Sequence, residues 1–189
     1  YDSLWEKYEA EKLEEGKDLS EIKQLVSVAV NRQYISKIMV PNTIKITEKL
    51  IKNNKKVFII CCYDEELYTL KEHFGEQAVI FNGKMNQKQK DAAQKAFMED
   101  PNVMVFIGQV IAAGVGLTLI ASRTLIFNNI DFVPGNDRQM EDRIYRIGQT
   151  RDVNVYYQIF RGTQYERMWN TVMRKELIIN QVIKKEDEK

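Results

Sequence analysis

Five short apolar runs, separated by stretches of helical spacing, decide what this chain can become. They are Lys56–Cys62, Ala78–Phe81, Val103–Ile107, Thr124–Phe127 and Val153–Tyr157. Runs this apolar fit strands of a parallel sheet, which is covered on both faces. Between and after them, Leu67–Phe74, Gln87–Met98 with Asn86 as its cap, Asn136–Tyr145 and the stretch from Tyr165 onward read as helices. Strand and helix in alternation require right-handed crossovers. The expectation is an α/β fold: an open, mainly parallel sheet flanked by helices, with an N-terminal helical extension and a long C-terminal helix. In such sheets ligands collect at the carboxyl ends of the strands.

The first fifty residues are helical in pattern. Tyr1, Leu4, Trp5 and Tyr8 keep helix spacing up to Gly16, and a second helix follows Asp18 to about Ile38, where Pro41 is expected to stop it. Asn42 or Thr43 then caps a third helix. This divides the chain into a helical connection over 1–40, a lobe over 41–162, and a C-terminal helix with a charged tail over 163–189. The chain begins at Tyr1 rather than Met, which suggests a piece of something longer. Its last helix, with Tyr165, Met168, Trp169, Val172, Leu177 and Ile178, either packs back on the sheet or braces another part of a longer protein.

Charge and rare residues exclude several classes. Twenty-eight Lys and Arg against twenty-seven Asp and Glu leave +1, which excludes a histone-like binder and an acidic disordered tail. No apolar run approaches the ~18 residues of a membrane span. An intracellular, soluble protein is expected, in cytoplasm, nucleoid or nucleus according to the host. His73 is the one histidine, so triad chemistry would rest wholly on it. Its setting, Leu70-Lys71-Glu72-His73-Phe74-Gly75, reads as the wet end of a helix with Gly75 as C-cap. Cys61 and Cys62 are adjacent on a strand and face opposite ways, which argues against a disulfide. Together with His73 they lack zinc-ligand spacing, so no metal site is expected.

Two segments hold residues suited to chemistry. After the third strand come Gly108-Gln109, then Ala112-Ala113-Gly114-Val115-Gly116-Leu117-Thr118. Taken alone, this stretch fits a tight turn against a helix as well as an anion cradle. It is neither a P-loop nor a G-x-G-x-x-G fingerprint. After the fourth strand, Gln139, Arg143 and Arg146 recur at i, i+4 and i+7, which on a helix running to Gln149 gives them one face. Presented just beyond a strand's carboxyl end, two permanently charged planar forks suit phosphate oxygens. A solvated polar stripe is the plainer reading of the same spacing.

The spelling of Gln139–Gln149 is specific. It resembles motif VI of the Swi/Snf-type DNA translocases of helicase superfamily two, Q-x-x-x-R-x-x-R-I-G-Q, at every fixed position. Ala112–Leu119 looks like that family's motif V, and Val57–Cys62 like the strand of motif IV. Phe132-Val133-Pro134-Gly135 sits where the family has Trp-Asn-Pro, and Asn82-Gly83 with Lys90 and Phe97 resembles the segment between. The resemblance runs over about 37–160, and its wording leans toward the annealing-helicase branch.

The resemblance implies a C-terminal RecA-like lobe. ATP and Mg²⁺ would be held mainly by a first lobe with a Walker lysine and an Asp-Glu pair, motifs absent from this sequence. The lobe would lend Arg143 and Arg146 as catalytic fingers, with Gln139, Gly114 and Gly116 bordering the cleft. Its implied partners are double-stranded DNA and that first lobe. No cofactor is expected to bind tightly to this chain alone. Departures from the family fall on the DNA side: Gly108-Gln109 replaces Ser-Thr, Lys84 and Met85 replace a small hydroxyl residue, and Asn129, Phe132 and Tyr145 replace an acid, Trp and His. Gly83, Lys84, Lys88, Lys90 and Gln109 are the candidate backbone contacts, the lysines fitting a solvated helix flank equally well. Rival readings are a strand-separating RNA or DNA helicase lobe, a non-catalytic interaction module of the same fold, and a dinucleotide-binding domain. The last lacks its glycine fingerprint.

Overall fold

A computed structural model describes residues 19–109, 117–131, 134–146, 149–150, 152–163 and 165–175, with the side chains of 19–26 and 134 outside the description. In chain order the elements are α1 (Leu19–Lys52), β1 (Val57–Cys61), α2 (Asp64–Phe74), β2 (Ala78–Phe81), α3 (Gln87–Glu99), β3 (Val105–Gln109), β4 (Thr124–Phe127), α4 (Pro134–Ile144) and β5 (Asn154–Tyr157). A last helix, α5, covers 165–175. The strands form one five-stranded sheet in the order β2-β3-β1-β4-β5. Every pairing is parallel, with Phe58 of β1 opposite both Phe106 and Leu125.

Alternation along the strands sorts the core into two layers. Phe58, Ile60, Phe106, Leu125 and Phe127 face α3, α4 and α5, in one cluster with Phe97, Met140, Ile144, Tyr165, Met168 and Val172. Val57, Ile59, Cys61, Val105, Ile107 and Ile126 face the other way, onto Val40 of α1 and onto Leu67, Leu70 and Phe74 of α2. All five residues of β1 are buried, as a central strand with both faces covered must be. The last helix packs back on the sheet over its described residues; Leu177 and Ile178 lie outside them, as do Tyr1, Leu4, Trp5 and Tyr8.

Pro41 does not end a helix. Residues Leu19–Lys52 form one helix with Pro41 inside it. An internal proline costs about 3 kcal/mol through a lost N–H and a clash with the preceding turn. Here Pro41 and Lys37 face solvent, where water can take the freed Lys37 carbonyl, while Ile35, Ser36, Met39, Val40, Thr43 and Thr47 are buried on the opposite side. Burial of that face outweighs the local penalty.

Two further boundaries move. α2 begins at Asp64, not Leu67, because its first turn is acidic and its Glu66 accepts from the backbone N–H of Tyr63 at 2.6 Å. β3 runs to Gln109, so Gly108 is a strand residue paired with Ile60 and Phe81. The helix ends predicted at Asn86 and Gly75 hold, whereas Asn42 and Thr43, expected to cap a third helix, lie inside α1. Asn86 accepts from Gln89 N at 3.0 Å while Gln89 Oε1 accepts from Asn86 N at 2.9 Å, and Gly75 closes α2 with φ +54°. His73 sits there half-exposed, 3.0 Å from Glu48.

Candidate functional site

α4 starts beyond the carboxyl end of β4 and runs back along the sheet. Its last turn therefore returns to the segment that leads into β4: Leu119 N donates to Arg143 O at 2.9 Å. Arg143 and Arg146 thus stand at the far end of α4, not at the carboxyl end of β4 as its sequence neighbourhood suggested. The single face also needs correction. α4 ends at Ile144, so Gln139 and Arg143 share a helical face, but Arg146 lies past it in a bend. Tertiary contact restores what helical spacing does not. Arg146 Nη1 donates to Thr118 Oγ1 at 2.9 Å, and Thr118 O accepts from Gln94 of α3 at 3.1 Å.

The two guanidiniums differ in setting. Arg143 is buried and Arg146 exposed. Burial, with the charge of Arg146, lowers the pKa of Arg143, and Asp142 offsets this in part. Gln139 is exposed on α4. Gly114 and Gly116 lie outside the described residues. Gln149, the last fixed letter of the motif, is a brace: its Nε2 donates to the carbonyls of Ile120 at 3.2 Å and Ser122 at 3.1 Å. It ties the end of the arginine segment to the entrance of β4.

At the carboxyl edge of β1, β2 and β3 a second group assembles. Asp64 Oδ2 accepts from Lys84 Nζ at 2.6 Å and its Oδ1 from Gln109 Nε2 at 2.7 Å. Gln109 Oε1 faces Gly83 N at 3.5 Å. Asn82 is buried under this turn, accepting from Lys84 N at 3.1 Å and donating to Tyr68 Oη at 3.2 Å. Gly83, Lys84 and Gln109 are therefore brought together. Lys88 is exposed on the first turn of α3, and Lys90 Nζ lies 5.4 Å from the centre of the Phe81 ring.

Beneath this edge lies a buried polar network that the sequence did not announce. Glu66 accepts from Cys62 N at 2.8 Å, from Asn129 Nδ2 at 3.2 Å, and from Asn128 Nδ2. Asn128 also donates to Ser36 O at 3.0 Å and accepts from Thr43 Oγ1 at 2.6 Å. Gln158 donates to Thr43 and accepts from Asn42 Nδ2 at 2.7 Å. α1, α2 and the ends of β1, β4 and β5 are thus joined by side chains. Burial pushes Glu66 up to about 7, against these donors, which favour its ionised form. Asp137, on α4, is also pushed up to about 7, by burial and by the charges of Asp131 and Glu141, against the Asp131 N–H that it accepts at 3.3 Å. Asn129, where an acid is usual in the family, donates to Glu66. A carboxylate there would face a carboxylate. Among the described residues no group of three His, Cys, Asp or Glu side chains is placed to hold a metal.

Comparison with known proteins fits this arrangement. The family model for the helicase conserved C-terminal domain matches residues 42–148 of the 189. The chain belongs to that family. The lobe is 34% identical over 131 residues to a Caenorhabditis elegans protein, the SWI/SNF-related matrix-associated actin-dependent regulator of chromatin subfamily A-like protein 1 homolog, covering 68% of the chain and 19% of that protein. Human DNA annealing helicase and endonuclease ZRANB3 is 33% identical over 111 residues, 59% of the chain and 10% of that protein. Chromatin-remodeling ATPase INO80 of Aspergillus clavatus is 41% identical over 87 residues, 46% of the chain and 5% of that protein. The chain spans a small share of each relative's length. In shape it is similar to the C-terminal part of the Fun30 ATPase domain, with a TM-score of 0.65 at 23% identity, over 70% of this chain and 44% of that one. The helicase C-terminal lobe is RecA-like in fold. Among its described residues, no helix is long and apolar enough to cross a membrane.

Proposed function

We propose that this lobe is the second motor lobe of an ATP-dependent double-stranded-DNA translocase. The observation that carries the reading is the return of the end of α4 to residues 117–119, where Arg146 Nη1 donates to Thr118 Oγ1 and Arg143 O accepts from Leu119 N. In the proposal these arginines meet the γ-phosphate of an ATP whose Mg²⁺ and phosphates are held mainly by a first lobe. Fixed positive charge at the phosphoryl oxygens is what this chemistry most needs from a protein. Gln139 and the Gly114–Gly116 segment border the same cleft. Gly83, Lys84, Lys88, Lys90 and Gln109 contact DNA backbone phosphates at the other edge, where readout is independent of sequence. Residues 1–40 form the connection to the first lobe, 41–162 the lobe, and 163–189 its closing helix and tail; α1 spans the first boundary as one continuous helix. The relatives named for annealing and for chromatin remodeling support a DNA-acting ATPase without choosing between those tasks.

The test is reconstitution. Purified alone, the chain is expected to release no phosphate from ATP above background, with or without duplex DNA. It should bind duplex weakly, with log affinity falling against log salt at a slope of about −2 to −3, as for two or three neutralised phosphates. Joined to a first lobe bearing a Walker lysine, it should show DNA-stimulated turnover. Turnover by the chain alone would overturn the two-lobe reading.

A further inference from the structure

Asp64 stands where a ligand of the rim would stand. Its two oxygens take one donor each from two of the side chains assigned to the DNA backbone, Lys84 at 2.6 Å and Gln109 at 2.7 Å. A carboxylate and a phosphodiester both present two anionic oxygens in a fork, and donors spaced for one suit the other. The neighbouring acids are otherwise engaged. Glu65 pairs with Lys37 at 2.6 Å, and Glu66 points into the core. Asp64 is therefore the acid of this turn that meets the rim. The side chains of the pair are 38% exposed at Asp64 and 71% exposed at Lys84, so water and salt reach it and it exchanges partners at little cost. Asn82 fixes the turn through Lys84 N, so Lys84 stays near whichever anion replaces the carboxylate.

We propose that Asp64 is a built-in competitor for nucleic-acid backbone phosphate. In the free protein it fills the phosphate position between Lys84 and Gln109, and it is displaced when a strand binds. The proposal rests on the rim reading given above. Its consequence is a contact tuned for release: each phosphate gained must outbid an internal anion.

The experiment measures binding of a fluorescent 20-base-pair duplex to the purified chain by anisotropy, from about 50 to 300 mM salt. Asp64→Asn should tighten binding about 3- to 10-fold at the lowest salt, since it removes both the competitor and a like charge beside the DNA. Its salt slope should stay close to the wild type's, because once the carboxylate is displaced Lys84 meets the same phosphate in both proteins. Asp64→Ser, a second uncharged replacement, should show the same gain. Lys84→Gln should weaken binding, and Asp64→Asn placed on Lys84→Gln should recover little of the loss. Equal or weaker binding by both Asp64 variants, with Lys84→Gln still weakening, would overturn the competitor role and leave the rim standing. If Lys84→Gln binds as the wild type does, the rim reading falls and the competitor role with it.

Discussion

Asp64 and Glu66 are two residues apart in the first turn of α2, yet the fold gives them opposite surroundings. Glu66 is 1% exposed and is met by Cys62 N, Tyr63 N, Asn128 and Asn129. Asp64 lies at the surface against Lys84 and Gln109. One carboxyl fastens the β1–α2 junction to β4 and α1. The other sits among groups suited to bind an anion. The chemistry of the two side chains is nearly the same, so the difference lies in the dielectric around them and in whether their partners can leave. Buried partners have nowhere else to go, whereas exposed partners exchange with solvent and ligands.

The comparison breaks most visibly from the buried side. Asn128→Leu removes the amide that joins Glu66, Ser36 and Thr43, leaving buried polar groups unpaired. It should cost about 2–4 kcal/mol in urea unfolding, since a buried group without its partner keeps its full desolvation penalty. A cost under about 0.5 kcal/mol would show that the network does not hold the junction.

Next in size is a pH effect. In the unfolded chain Glu66 ionises near 4.5, whereas burial holds it up to about 7 in the fold. Asp137 rises likewise, from 3.8 to about 7. Between these values the folded state binds more protons than the unfolded one, so stability should fall as pH rises through that window. Going from pH 5 to pH 8 should lose about 2–3 kcal/mol, about half the full linkage of two such groups over that range. Glu66→Gln should flatten the slope. A flat or rising stability over that range would contradict the assignment. The smallest effect is expected at the surface. Asp64→Asn should shift the melting temperature by no more than about 2 °C, although on the proposal above it tightens DNA binding. A large drop would make Asp64 structural and erase the contrast with Glu66.

Much of this lobe was legible in its sequence because it is written in local chemistry. The five strands follow from short apolar runs, and Asn86 and Gly75 mark their helix ends. Signals that local chemistry misreads were those settled by packing. Pro41 stays inside α1 because the opposite face is buried, and Gly108 stays in β3 because its neighbours on both sides are strands. The arginines were legible by spelling, while their placement was not, since spacing along a helix says nothing about where α4 ends. The buried network at Glu66 carried no signal. Its bonds from Cys62 N and Tyr63 N are local to the start of α2, but Asn128 and Asn129 reach it only through the topology of the sheet.

On this proposal the lobe lends arginines to an ATP site completed by another lobe. The direct test is DNA-stimulated ATP turnover of Arg146→Ala in the protein that joins this lobe to a Walker-bearing one, with ATP affinity and melting temperature measured on the same preparation. A finger stabilises the transition state more than it binds the ground state. Turnover should therefore fall about 10³-fold or more, with ATP affinity and melting temperature little changed. Lysine at that position should restore only part, lacking the planar fork. Normal turnover in Arg146→Ala, or a loss matched by a lower melting temperature, would mean that the bond between Arg146 and Thr118 is a structural contact and that the lobe has no such catalytic part.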